Sequence, residues 1–134
     1  MRILLIDDSR LLQRVNARAL TRAGYEVTSV GDGEEGLRLA REDTPDLILL
    51  DMMLPKIAGQ DVLRTLKRDP RTKQIPVIVL SGLSRVNAAK IMDQGAIEFV
   101  EKTDDLLENN SQTVVKTVKD ILSRTTQLKE IGWH

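Results

Sequence analysis

The sequence predicts an α/β fold, a doubly wound five-stranded parallel sheet with five helices. Apolar runs of strand length alternate five times with segments of helical period. Three of the runs, RILLI (2–6), LILL (47–50) and VIVL (77–80), are continuous and rich in Ile, Leu and Val. Strands buried on both faces have that composition. The other two, YEVTSV (25–30) and IEFV (97–100), carry polar residues and suit the sheet edges.

The elements follow in order. The first strand ends in Asp7-Asp8. Leu12, Val15 and Ala19 form the stripe of a first helix, with Arg10, Arg14 and Arg18 elsewhere on it and Gly24 closing it. After the alternating second strand and the turn GDG, Leu37 and Ala40 mark a second helix. The third strand ends on Asp51, with a turn signal at Leu54-Pro55. Val62, Leu63 and Leu66 mark a third helix ending near Asp69-Pro70. The fourth strand leads into Ser81-Gly82, and Val86, Ala89 and Met92 mark a fourth helix stopped at Gly95. The short fifth strand ends in Glu101-Lys102, and Val114, Val118, Ile121 and Leu122 mark a long fifth helix. Three internal and two edge strands match the flavodoxin-like order 2-1-3-4-5, whose switch point lies between strands one and three. Residues 1–124 are expected to form one domain, and 125–134 a helix end or the stub of a linker.

Composition narrows the function. A chain of 134 residues can bury a real core. Twenty basic residues balance twenty acidic ones, so no global charge points to nucleic acid or to a membrane surface. Three aromatics, Tyr25, Phe99 and Trp133, are too few for a base-stacking platform. The absence of cysteine excludes thiol chemistry and thiolate metal sites, and fits a reducing compartment. MRILLIDD meets two acids too early for a signal peptide, and no apolar stretch is long enough to span a bilayer. A cytoplasmic protein is expected.

The strand ends carry the chemistry. In an open parallel sheet, Asp7-Asp8, Asp51, Ser81 and Lys102 converge on one edge, where ligands bind. Two unit charges about 4 Å apart repel by roughly 4 kcal/mol at an effective dielectric near 20. Three clustered acids therefore take up protons or hold a cation. An oxygen-only set without His or Cys favours a hard divalent ion such as Mg²⁺. Lys102 then offers a point charge to an anion beside the metal, and Ser81 a hydroxyl donor. Such a set holds a phosphoryl group, with one carboxylate left as nucleophile. Taken singly, each residue has a plainer role: Asp8 or Ser9 as a helix cap, Ser81 as a turn residue, Lys102 as a surface lysine. Asp51 resists this, because an acid following four aliphatic residues needs a partner. Their coincidence at one sheet edge favours the functional reading of the set.

The ordered motifs ILLIDDS, DLILLDMMLPKIAG, PVIVLSG and GAIEFVEK resemble the response-regulator receiver domain of two-component signalling, over nearly the whole chain. The resemblance implies that residues 1–124 are a receiver domain. It makes Asp51 the acceptor of a phosphoryl group from a sensor histidine kinase or histidine phosphotransfer protein. It makes Asp7, Asp8, Asp51 and the backbone carbonyl of Met53 the Mg²⁺ ligands, and Lys102 the phosphate-pairing lysine. Ser81 and Phe99 match the family's switch pair, a two-state element biased by one new anion. Without the family pattern, Phe99 reads as a plain core residue of an edge strand.

Two features depart from the family. Thr103 stands where Pro, in a cis peptide, is usual, and a non-proline cis bond costs roughly 2.5–4 kcal/mol, which disfavours that geometry here. The segment TDDLLENNS (103–111) is longer than the norm, with a helix start expected near Asn110-Ser111. Both fall near the family's usual output face. Met53, apolar and two residues past Asp51, cannot hydrogen-bond strongly to an attacking water, so slow self-dephosphorylation is expected.

Other readings fit less well. Haloacid-dehalogenase-type phosphatases place a second Asp two residues after the nucleophile, where this chain has Met53. Nucleotide binding would call for a phosphate-cradling glycine loop, and DDSR follows the first strand instead. The alternative is a receiver-like interaction scaffold that works without phosphorylation, marked by loss of the acceptor or the acidic pair; both are intact. Neither direct nucleic-acid contact nor membrane insertion is expected, and the sequence names no output partner.

Overall fold

A computed structural model describes residues 1–82, 88–101 and 109–130. Strands β1 (Arg2–Ile6), β2 (Glu26–Val30), β3 (Leu47–Asp51), β4 (Val77–Ser81) and β5 (Glu98–Glu101) form one parallel sheet in the order β2-β1-β3-β4-β5. Helices α1 (Arg10–Arg22), α2 (Gly33–Asp43), α3 (Gly59–Arg68), α4 (Ala88–Asp93) and α5 (Asn109–Glu130) alternate with them. This is the flavodoxin-like order expected from the sequence. The alternating and the charged strand are the two edges; β1, buried except for Arg2, and the fully buried β3 and β4 lie inside. α5 runs through residue 130, so residues 125–130 continue its helix.

Strand alternation sorts the core into two layers. Leu4, Ile6, Ile48, Leu50, Val77 and Val79 face α2, α3 and α4, meeting Leu37, Val62, Leu63, Leu66 and Ile91. Their neighbours Ile3, Leu5, Leu47, Leu49, Ile78 and Leu80 face α1 and α5, meeting Leu20, Val114, Val118 and Ile121. A one-residue slip of any inner strand would exchange its two faces between the layers.

Local chemistry sets the ends. Ser9 caps α1 by accepting the Leu12 N–H, and Asp32 caps α2 by accepting that of Glu35. Gly24 and Gly95 take positive φ just past α1 and α4, where a side chain would be strained. α1 itself contains no acid, and Arg10, Arg14, Arg18 and Arg22 repeat at a spacing of four. Each like-charge pair of that kind costs about 0.2–0.5 kcal/mol, so α1 is held by burial of Leu12 and Leu20 rather than by its surface.

Two helical stripes differ from expectation. α1 buries Leu12, Asn16 and Leu20, whereas Val15 and Ala19 are half-buried and turn toward α5. Thirteen residues turn through too wide an arc for both sets to face the sheet, and the bulkier Leu20 takes the core. In α4 the buried residue is Ile91, while Ala89 and Met92 are exposed and Val86 lies outside the described residues. The fifth helix starts at Asn109, close to the predicted start, and buries the four residues expected of it.

Candidate functional site

Three strands deliver acidic or hydroxyl groups to the carboxyl edge of the sheet. Asp7 follows β1 directly, its N–H bonded to the Val30 carbonyl at 3.1 Å, so β2 carries the register one residue beyond the strand. Asp51 and Ser81 are the last residues of β3 and β4; Asp51 is in register with Leu80, and Ser81 with Glu101. Asp7, Asp51 and Ser81 are all buried, and Asp8 is exposed. One carboxylate oxygen each from Asp7, Asp8 and Asp51 lie within 4.8 Å of one another. This edge flanks the switch point between β1 and β3, where an open α/β sheet offers its crevice.

Backbone donors orient the two buried acids. The Ser9 N–H donates to Asp7 Oδ1 at 3.0 Å, and the Met53 N–H donates to Asp51 Oδ1 at 3.1 Å. Charge-assisted bonds of this kind hold a carboxylate plane in place. Ser9 therefore caps α1 while its own N–H serves the site, and Asp8 is left to project into solvent. Buried carboxylates this close need a counter-charge, and the donor set is oxygen only, with Asp8 open to water. It suits a hard divalent cation that keeps part of its water shell.

The other predicted residues are distributed as follows. Met53 has its side chain 64% exposed, beside the site rather than in the core. Phe99 is half-buried on β5, packed against the α2–α3–α4 layer and in register with Val79. Lys102 and Thr103 lie outside the described residues.

Several supporting residues escaped the sequence reading. Gln13 on α1 donates through Nε2 to the carbonyls of Asp7 and Val30, tying α1 to both strand ends. Gly59, the first residue of α3, lies against the turn that follows Asp51. A Cβ there would come within 2.5 Å of Met52 Cα and 2.7 Å of the Asp51 carbonyl oxygen. A glycine at a helix start without a turn to explain it is the one signal that could have revealed this close approach. Lys56 takes φ 67° in the same loop, and its Nζ lies 3.7 Å from Asp32 Oδ2, linking the loop to the start of α2. The Glu35 N–H and then Lys56 hold the Asp32 carboxyl below the usual range.

The family model for the response regulator receiver domain matches residues 3–111. The chain is 37% identical to the DNA-binding dual master transcriptional regulator RpaA of Synechocystis sp., over 99% of this chain and 54% of that protein. It spans about half the length, or less, of the curated relatives it matches. A receiver domain protein from Clostridium thermocellum superimposes with a TM-score of 0.81 at 30% identity, covering 95% of this chain and 98% of that one. The Mn²⁺-bound form of response regulator Rcp1 does so with a TM-score of 0.77 at 26% identity, covering 86% and 89%. Among the described residues, no helix is long and apolar enough to cross a membrane. The two-layered sheet, the acidic trio at its switch point and the match over residues 3–111 together make this chain a member of the response regulator receiver domain family.

Proposed function

We propose that Asp51 is a phosphoacceptor. The supporting observation is the convergence of Asp7, Asp8 and Asp51 oxygens within 4.8 Å at the sheet edge. An Asp51 carboxylate oxygen attacks the phosphorus of a phosphohistidine on a kinase or phosphotransfer partner. The P–O bond to Asp51 forms as the P–N bond breaks, and the imidazole leaves with the electron pair. Asp7, Asp8, Asp51 and the Met53 carbonyl would hold Mg²⁺, which when bound offsets the charge of the phosphoryl oxygens. The Met53 N–H keeps the Asp51 carboxylate in a fixed orientation for the attack. Lys102 pairs with the phosphoryl group, and Ser81 and Phe99 form the element that switches a partner-binding face.

In this reading residues 1–124 are a cytoplasmic receiver unit that serves as acceptor rather than turnover enzyme, and α5 beyond residue 124 leads out of it. The Mn²⁺-bound Rcp1 neighbour supports a divalent cation at the acidic trio, and the intact trio favours the acceptor over a phosphorylation-independent scaffold. Intact-protein mass measurement after incubation with a small phosphodonor tests the reading. Wild type gains a phosphoryl adduct only with Mg²⁺, and Asp51→Asn gains none. A folded wild type that stays unmodified with both small-molecule and phosphohistidine donors would refute it.

A further inference from the structure

Sulfur occurs in this chain only as thioether. No cysteine is present to intercept an oxidant, so its four methionines are the side chains most open to two-electron oxidation. The fold treats the four differently. Met52 is 6% exposed and belongs to the core layer under α2, α3 and α4. Its chain neighbour Met53 is 64% exposed, more than Met1 at 55% and Met92 at 37%. Met1 lies at the amino edge of the sheet, before β1, and Met92 in the last turns of α4, where the chain returns to that edge. Met53 is therefore the exposed thioether of the carboxyl edge. Its N–H donates to Asp51 Oδ1 at 3.1 Å, which anchors its side chain beside the acidic trio.

Oxidation would change what that side chain offers. A thioether is a weak hydrogen-bond acceptor. With a peroxide, the Met53 sulfur attacks one oxygen; the S–O bond forms as the O–O bond breaks, and the other oxygen leaves as water with both protons. Sulfur gives up two electrons and the peroxide gains them. The product keeps the length and flexibility of Met but ends in a polar sulfoxide whose oxygen accepts strongly. Hydrolysis of an aspartyl phosphate needs a water held in line with the bond from phosphorus to Asp51, and an acceptor orients that water. The sulfoxide supplies the acceptor that the thioether lacks, and methionine sulfoxide reductases remove it again. Oxidation of Met52 would instead break the core, and its burial shields it. A mild oxidant thus reaches the site residue and spares its structural neighbour.

We infer that Met53 is a reversible oxidation site, and that its sulfoxide shortens the lifetime of the phosphoryl group on Asp51. This inference rests on the phosphoacceptor reading of Asp51, and makes the decay rate answer to oxidant.

The test has two arms, both on the full chain. In the first, unphosphorylated protein is treated with limiting hydrogen peroxide, digested, and mapped by mass for the gain of one oxygen, about 16 Da. Met53 should be oxidised well ahead of Met92 and Met52, and the product should unfold in urea like untreated protein. Oxidation of Met53 no faster than that of Met52 would overturn the inference. In the second arm, treated and untreated protein are phosphorylated with a small donor, freed of it, and followed by intact mass. The half-life should shorten at least about threefold on oxidation and recover after incubation with methionine sulfoxide reductases. Met92→Leu should keep this response and Met53→Leu should lose it. Met53→Gln, with a permanent amide oxygen at similar reach, should decay quickly without oxidant. Three outcomes would overturn the inference while leaving Asp51 an acceptor. They are an oxidised wild type with an unchanged or longer half-life, one that no longer takes a phosphoryl group, and a response that survives Met53→Leu. Untreated wild type that accepts nothing from small-molecule or phosphohistidine donors would overturn the acceptor reading, and this inference with it.

Discussion

Gly59→Ala tests the idea that α3 is pressed against the end of β3 to shape the loop that follows Asp51. The added Cβ would lie 2.5 Å from Met52 Cα, 2.7 Å from the Asp51 carbonyl oxygen and 2.8 Å from that of Met52. All three are backbone atoms, so relief requires moving the helix start or the strand end rather than turning a side chain. Overpacking of this kind costs typically 1–3 kcal/mol, while Ala regains up to about 1 kcal/mol in helix propensity, less at a first helical position. The net expectation is a loss of about 1–2 kcal/mol, which lowers the urea midpoint by about 0.5–1 M. The shift also strains the Gly59 N–H bond to the Met52 carbonyl and moves the Met53 N–H off Asp51 Oδ1, so phosphorylation by a small donor slows. Gly31→Ala is the control, because its Cβ would meet only Gln13 Nε2, at an ordinary 3.7 Å. A Gly59→Ala midpoint equal to that of Gly31→Ala, with an unchanged phosphorylation rate, would refute the reasoning.

Met53→Asn places a hydrogen-bonding group beside the proposed acceptor Asp51 and should shorten the phosphoryl half-life several-fold; an unchanged half-life would remove the role given to this side chain. Lys67 donates from Nζ to the carbonyls of Lys73 and Ile75, and its burial lowers its pKa. Lys67→Ala strips both carbonyls of that donor and should cost about 1–2 kcal/mol in urea unfolding, with phosphorylation intact. Asp32→Asn keeps a capping oxygen but removes the charge that Glu35 N–H and Lys56 stabilise. A depressed carboxyl contributes stability above its unfolded pKa and loses it as pH falls through the folded one. The wild-type advantage over Asp32→Asn should therefore be full above about pH 5 and shrink below about pH 4. A pH-independent gap would point to geometry rather than charge.

Architecture and acidic trio were legible in the sequence because each rests on a local pattern with a short period. Continuous runs of four or five Ile, Leu and Val residues, too short for a buried helix, point to strands covered on both faces, and five alternations leave few topologies. Asp7, Asp8 and Asp51 could be brought together from sequence because parallel strands end on one edge by construction. Strand-end residues hidden in a helix would have given no such signal.

Other features depended on distances between segments remote in sequence. Whether Val15 or Leu20 faced the sheet depended on how α1 rolls against α5, since both sit on one broad apolar arc. Gln13 reached two strand ends because α1 crosses β1 and β2 at that height, and no spacing in the chain encodes it. Gly59 was decided by the approach of α3 to the Met52 backbone. The same holds between α1 and α5: Arg14, Arg18 and Arg22 share one helix by sequence, but only the packing of α5 sets Lys116 and Lys119 opposite them across a groove. Sequence determines which surfaces must be buried and which strand ends must meet, because those follow from backbone period and hydrogen-bond satisfaction. Which surface groups become neighbours is set by helix-on-helix packing, where many rotations satisfy the same pattern and only the assembled core selects one.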